Sequence, residues 1–592
     1  MPIFEELLKL KEAKLISDLE VEFARTLLRI SPDLSPTVIV VAVICSFHQT
    51  NGNVCVFLDR VHQDKRITDL MSLIPSQNTQ LGVLQDELRA SSVVGSPGEF
   101  KPLILEENRL YIQRYWKYEN ELVTWIKERA SRESSKLTKE VVETVQEQFR
   151  SNQTEETDWQ KVAVYLSILK DFLIISGGPG TGKTFTVRKI IETIQSAESN
   201  QVRIALAAPT GKAAQRLSES FQDGASSDLE AYTIHKLLGA RMDGSFAYDK
   251  NRKLPYDVVI VDEASMLDIR MWIQLIRALS DHTKLIVLGD KDQLSSVEAG
   301  AVLGDICDGA ENVFSNSLAE SLTQCGVQVN AKENANGSLN DCIVLLTKSY
   351  RFGADSGLKL LSEAINTENP TLAFEILSNP EIKDVQWIEP DKGTVPSIIK
   401  SHCVDVFAKN SALNPIQQFE AYSNSQILCA IRKSDFGVER VNREAEEAIK
   451  TKAGISRSRE WFNGRFVLFT KNDAFLKVQN GETGVFFTQM DSEGKVMVEG
   501  NVERQISVSR VQEYQPAYAI TVHKSQGSEY ENVVLLLPNE HNPIITKELL
   551  YTAVTRARQN LLVVGNKALI EQAIMQRISR NSGLATKLWG IH

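Results

Sequence analysis

From residue 158 onward the chain alternates amphipathic helical stretches with short β-branched runs at 172–176, 202–207, 258–261 and 285–288. Short continuous apolar runs belong to strands buried on both faces, and a helix between successive runs supplies the crossover that a parallel sheet needs. A second unit of the same kind follows, with strand candidates at 427–431, 533–537 and 561–564. Inside it, the runs 466–469, 484–488, 495–499 and 505–508 are separated by turns such as Asn480-Gly481 and Ser492-Glu493-Gly494, which predicts a small inserted β-barrel.

Ahead of these units the pattern changes. Residues 4–28 have helical apolar spacing and 38–45 form a continuous, buried-looking run. The stretch 111–150 is amphipathic and charge-rich, with Trp116, Tyr118, Val123 and Trp125 as apolar anchors before the polar residues 151–154. The predicted organisation is a mostly helical N-terminal docking domain over 1–110, a helical connector over 111–155, an α/β domain over 156–345, and a second over 346–592 carrying the barrel at about 465–515. The stretch 310–341, rich in Asn, Ser, Glu and Gly, reads as a long surface loop. No internal repeat is evident.

Composition changes this picture little. A net charge of −10 over 592 residues gives no overall attraction to nucleic acid, so any such contact needs a local basic groove. Residues 1–110, with 11 Lys/Arg against 15 Asp/Glu, suit docking better than gripping nucleic acid. Seven scattered cysteines without a C-x-x-C pair point to a reducing compartment and against a zinc knuckle. With no basic N-terminal region and no apolar run of membrane-spanning length, a soluble, cytoplasmic protein is expected.

The candidate chemistry begins where the run 172–176 breaks into Gly177-Gly178-Pro179-Gly180-Thr181-Gly182-Lys183-Thr184. The spacing G-x-x-x-x-G-K-[ST] between a strand and a helix is that of a phosphate-binding loop, whose backbone N–H groups and lysine cradle a triphosphate such as ATP. At the end of the run 258–261, Asp262 would hold Mg²⁺ together with Thr184, and Glu263 would polarise the attacking water. Gln293, in Gly289-Asp290-Lys291-Asp292-Gln293, is placed to touch the γ-phosphate. A further strand-to-helix junction, Pro209-Thr210-Gly211-Lys212, suits a nucleic-acid phosphate but could equally be a plain helix start. Thr470-Lys471-Asn472-Asp473 resembles a guanine-reading motif, yet it lies outside the domain that carries the phosphate loop and reads as a turn.

The ordered set GGPGTGKT, APTGKAAQRL, TIHKLLG, VIVDEAS, LGDKDQL, KSYRFG, TVHKSQGSE and YTAVTRAR resembles the superfamily 1 helicases, and within them the RecD family, the α subunits of bacterial exonuclease V (RecBCD). The resemblance covers nearly all of 155–592 and implies two RecA-like domains, with an SH3-like fold for the inserted barrel. It implies an adenine contact for Gln160, γ-phosphate contacts for Arg351 and Arg556, and a nucleotide-facing place for Gly527 and Glu529. It further implies single-strand contacts for Thr521, His523 and Lys524, and for His235. The activity implied is ATP-driven 5′→3′ translocation and unwinding of DNA beside RecB and RecC type subunits, in double-strand break repair and recombination, with the N-terminal domain docking RecC. Two other readings stay open: a strand-dependent ATPase that remodels nucleoprotein without unwinding, and a nucleotide-gated assembly subunit.

Overall fold

The computed structural model describes residues 2–132, 137–150, 157–197, 202–221, 229–332, 339–353, 355–410, 413–473, 475–488, 493–578 and 580–590. Its first parallel sheet has the strand order Ile343–Leu346, Phe172–Gly177, Lys284–Gly289, Val258–Val261, Ile204–Ala208, Ala231–Thr233. Phe172–Gly177 and Val258–Val261 are buried along their whole length because helices cover both faces, which is why their sequences do not alternate. Parallel pairing brings the strand ends at Gly177, Val261 and Gly289 to one edge.

The second parallel sheet runs Val385–Ile388, Ala557–Val564, Tyr530–Leu536, Ser425–Cys429, Ala519–Thr521. Between its neighbouring strands Ser425–Cys429 and Ala519–Thr521 the chain leaves to build a five-stranded antiparallel sheet. Its order is Gln505–Ser507, Lys495–Val498, Thr483–Phe487, Phe466–Phe469, Tyr514–Pro516, around a small core that includes Val467, Phe469, Val496 and Val498. Asp473 pairs with Val478 in an isolated antiparallel bridge, so the stretch 470–473 leads into a turn of this sheet.

In the N-terminal region, helices Pro2–Glu12, Asp18–Ile30 and Pro36–Thr50 pack with a four-stranded sheet ordered Val56–Phe57, Arg109–Ile112, Leu103–Glu106, Val94–Gly95. The run 38–45 is a helix buried on all sides, capped by the Ser35 hydroxyl, which accepts from the Val38 N–H at 3.3 Å. The connector holds two helices, Gln113–Ala130 and Lys139–Gln148, and its polar end at 151–154 lies outside the described residues.

The stretch 310–341 differs from the surface loop its composition predicts. It holds strands Val313–Ser315 and Asn330–Lys332 around the helix Asn316–Gln324. Leu318, Ala319 and Leu322 lie on one face of that helix and are buried, so apolar spacing outweighs a polar composition; residues 333–338 lie outside the described set. The C-terminal segment crosses back to the first unit, the N-terminal region and the connector. Arg580 donates to the carbonyls of Ser296 and Glu298 at 2.9 and 3.1 Å, the Val54 and Cys55 N–H groups donate to Asn581 O, and Trp589 Nε1 donates to Ile306 O at 3.0 Å. Lys587 sits between the carboxylates of Glu106 (2.6 Å) and the fully buried Glu119 (3.0 Å). All seven cysteines are buried free thiols, and no helix among the described residues is long and apolar enough to cross a membrane.

Candidate active site at the cleft between the two sheets

The loop that follows Phe172–Gly177 turns through left-handed backbone at Gly180 (φ +75°) and Gly182 (φ +80°) before the helix Lys183–Ala197. Both glycines are also required by space. A Cβ at Gly182 would lie 2.2 Å from Gln160 Nε2, and one at Gly180 would lie 2.3 Å from the Arg351 Cβ. Lys183 Nζ donates back to the carbonyls of Gly177 (2.5 Å) and Gly178 (3.1 Å), which holds its ammonium at the loop mouth. The Thr181 hydroxyl donates to Gly178 O at 2.8 Å, while Pro179 and Thr184 line the cleft. Gln160, for which the resemblance implies a place on adenine, is buried behind the loop and donates from Nε2 to Thr181 O at 2.8 Å. In this structure one of its amide N–H groups braces the loop, and its side chain does not line the cleft.

At the end of the next strand Asp262 Oδ1 accepts the Glu263 N–H at 2.8 Å, and Glu263 itself is held in left-handed backbone (φ +55°). Such strain in a non-glycine residue persists only where its surroundings enforce it. Burial and the neighbouring Glu263 charge push the Asp262 carboxyl up, and Lys183 opposes them. Further along the edge, Asp290 Oδ2 accepts from Gln293 Nε2 and from the Tyr551 hydroxyl, both at 3.0 Å. Gln293 Oε1 is buried and has no hydrogen-bond partner among the described residues.

The opposite wall comes from the second sheet and the segment that precedes it. Tyr350 donates its backbone N–H to Gly180 O at 2.7 Å, which sets Arg351 against the phosphate loop. Arg351 Nη2 pairs with Glu529 Oε1 at 2.6 Å, whereas its Nη1 is buried without a partner among the described residues. Glu529 Oε2 also meets Arg558 (2.9 Å) and Arg216 (3.4 Å). Burial pushes the Glu529 carboxyl up, but Arg351 and Arg216 outweigh it and hold the group at about 2. Arg556, 3% exposed, donates to Thr552 O at 3.1 Å and to Ser528 O at 3.0 Å. These residues enclose a cleft of about 450 Å³ that Gly527 also lines.

The residues expected on the nucleic-acid side are placed differently. Thr210 caps the helix Gly211–Glu219 through the Ala213 N–H, at 3.2 Å. Gln479 of the antiparallel sheet fills the space above Gly211, where a Cβ would lie 1.2 Å from its Oε1. Lys212 is half-buried beside that sheet; burial works against its charge, and the neighbouring Glu499 and Glu482 restore it. His235 is exposed at the end of the edge strand Ala231–Thr233, and His523 follows the other sheet's edge strand, Ala519–Thr521. The two turns are built alike, with Thr233 and Thr521 accepting the N–H of Lys236 (3.2 Å) and Lys524 (3.3 Å). Burial lowers the pKa of both His523 and Lys524, reinforced by Arg580 and Arg432 respectively.

Arg216, Arg558 and Tyr551 were not singled out by sequence, although each lies within one of the motif strings APTGKAAQRL, TRAR and YTAVT. For the two arginines, a basic residue inside a motif that contains no acidic partner was the available signal.

The family profile described as "RecBCD enzyme subunit RecD, N-terminal domain" matches residues 12–111. The profiles "AAA domain" and "UvrD-like helicase C-terminal domain" match 160–299 and 516–564. The RecBCD enzyme subunit RecD of Haemophilus influenzae is 31% identical over 638 aligned positions, covering 98% of this chain and 98% of that protein. The chain belongs to the RecD family. Another RecD, from Mycolicibacterium smegmatis, is 31% identical and covers 97% of each chain. Among solved structures, the Pif1 helicase from Bacteroides with ADP-AlF3 and ssDNA is 19% identical, with a TM-score of 0.39 over 75% of this chain and 95% of that one.

Proposed function

We propose that this RecD-family chain is an ATP-dependent DNA helicase, the motor subunit of a RecBCD-type enzyme acting beside RecB and RecC type subunits. The observation that carries the reading is the composite cleft. Lys183, Asp262, Glu263 and Gln293 face it from the first sheet, and Arg351, Glu529 and Arg556 reach it from the second unit. Two buried polar atoms there, the Arg351 Nη1 donor and the Gln293 Oε1 acceptor, have no partner among the described residues. Leaving such groups unpaired costs about 1–3 kcal/mol each, so the cleft suits a ligand that supplies anionic acceptors and a water donor, which a nucleoside triphosphate does.

With ATP bound, Lys183 would turn from the Gly177 and Gly178 carbonyls to the phosphates, and Arg351 would direct Nη1 toward the γ-phosphate. Arg556 would leave its carbonyls for the same charge. Thr184 and Asp262 would hold Mg²⁺, which neutralises developing phosphate charge when bound. Glu263 would accept the proton of the attacking water, and Gln293 Oε1 would orient it. Because one ligand would bridge two RecA-like units, binding draws them together and hydrolysis releases them.

The two Thr-capped turns at His235 and His523, one on each sheet, provide two strand contacts that change separation with the cleft. The inserted antiparallel sheet, read as an SH3-like barrel, would flank that path, and 5′→3′ movement belongs to the same reading. The test is ATP hydrolysis with and without single strands, and separation of 5′-tailed and 3′-tailed duplexes, by the full chain alone and with its partner subunits. Lys183→Gln should abolish both. Activity in the assembled complex unaffected by Lys183→Gln would overturn the motor role.

A further inference from the structure

The helix Gly211–Glu219 faces two ways. Its first turn packs beneath Gln479, which fills the space above Gly211, and its Arg216 side chain enters the nucleotide cleft. There Arg216 Nη1 donates to Gly527 O at 2.6 Å, and Nη2 lies 3.4 Å from Glu529 Oε2. The contact is built on both sides. Gly527 is left-handed (φ +72°), and a Cβ there would stand 3.4 Å from the Ala213 Cβ, so the loop seats directly on the helix face from which Arg216 projects. Gly527 and Glu529 in turn follow the Thr521–Lys524 turn without a break. Glu529 uses its other oxygen to hold Arg351, the arginine with the unpartnered buried Nη1.

We propose that Arg216 is a positioning residue that couples strand binding to ATP hydrolysis: through Gly527 and Glu529 it sets how Arg351 is presented to the γ-phosphate. This rests on the helicase reading above. A strand that shifts the turn at Thr521 moves the Gly527 end of the Arg216 bridge relative to the helix that carries Arg216. Since Arg216 and Arg351 share Glu529, loosening one contact changes the hold on the other. A guanidinium suits this link because its planar fork reaches a carbonyl and a carboxylate together, which an ammonium on a flexible stem does not.

The test uses the full chain with ATP and oligo-dT. Steady-state hydrolysis is measured with and without strand for wild type, Arg216→Ala and Arg216→Lys, together with strand affinity by fluorescence anisotropy and melting temperature. The expected result is a fall of about tenfold in the strand-stimulation factor for Arg216→Ala, with strand affinity held within about twofold and partial recovery in Arg216→Lys. In a cycle with Glu529→Gln, the double variant should be little worse than the poorer single. A stimulation factor equal to wild type, a loss explained by weaker strand binding, or additive effects in the cycle would overturn the inference. Were wild type itself unstimulated by any strand, the helicase reading would fall with it. Lys183→Gln tells the two failures apart, because it abolishes hydrolysis whether or not Arg216 couples.

Discussion

The Tyr551 hydroxyl donates to Asp290 Oδ2 at 3.0 Å across the cleft, and the same oxygen of Asp290 accepts from Gln293. One buried carboxylate thus joins the helix Lys547–Val554 of the second unit to the residue proposed to orient water in the first. Tyr551→Phe should lower stability by about 1–3 kcal/mol, the cost of leaving a buried acceptor short of a donor, and should raise KM for ATP. Denaturant melts and initial rates of hydrolysis check both; an unchanged melt would mean that Gln293 alone satisfies the carboxylate.

Gly180 and Arg351 are in contact so close that no side chain fits between them. Gly180→Ala puts a methyl 2.3 Å from the Arg351 Cβ and imposes left-handed backbone on alanine, a strain of about 1–2 kcal/mol before any clash is relieved. The loop and Arg351 must separate, so kcat/KM for ATP should fall about 10²-fold, the scale for misplacing reacting groups by an ångström. Steady-state hydrolysis measures it, with the melting temperature as a control for folding.

Lys587 separates two carboxylates that would otherwise face one another in the interior. Lys587→Met leaves Glu106 and Glu119 without their shared cation and should destabilise by about 3–5 kcal/mol, the range for breaking a buried pair from one side. Adding Glu119→Gln should recover part of that loss, although Tyr111 and Gly583 also donate to Glu119. Urea titration of the three variants decides it.

Asp305 accepts from the Ser582 hydroxyl at 2.8 Å, and burial pushes its carboxyl up to about 7. A raised folded-state pKa favours the protonated form, so its contribution to stability is full below the unfolded value near 4 and is lost as pH rises through about 7. Stability should therefore decline between pH 5 and pH 8 in the wild type, and Asp305→Asn should flatten that decline. Melting temperatures across that range test the sign, and a steeper decline in Asp305→Asn would refute it.

Local pattern carried much of the architecture. Phe172–Gly177 and Val258–Val261 are legible as buried strands because a strand covered on both faces must be apolar throughout, and the glycines after residue 176 are legible because only they allow the left-handed turns at Gly180 and Gly182. The edge strands Ala231–Thr233 and Ala519–Thr521 were not, since three residues become a strand only by pairing with a neighbour. The helix Asn316–Gln324 was hidden by its polar composition, and its apolar face shows only once it has something to pack against.

The same division holds for the site. The sequence by itself determined the phosphate loop, the acidic pair Asp262-Glu263 and the family, because each is a local spacing tied to one kind of chemistry. What only the tertiary structure decided is where the charges meet. Glu529 gathers Arg351, Arg216 and Arg558 from three distant stretches, Gln160 is turned onto the loop, and Lys212 is set beside Glu499 and Glu482 next to the antiparallel sheet. The physical reason is that Coulomb attraction and burial act through distance in space, and folding sets those distances by packing elements that no sequence window contains together.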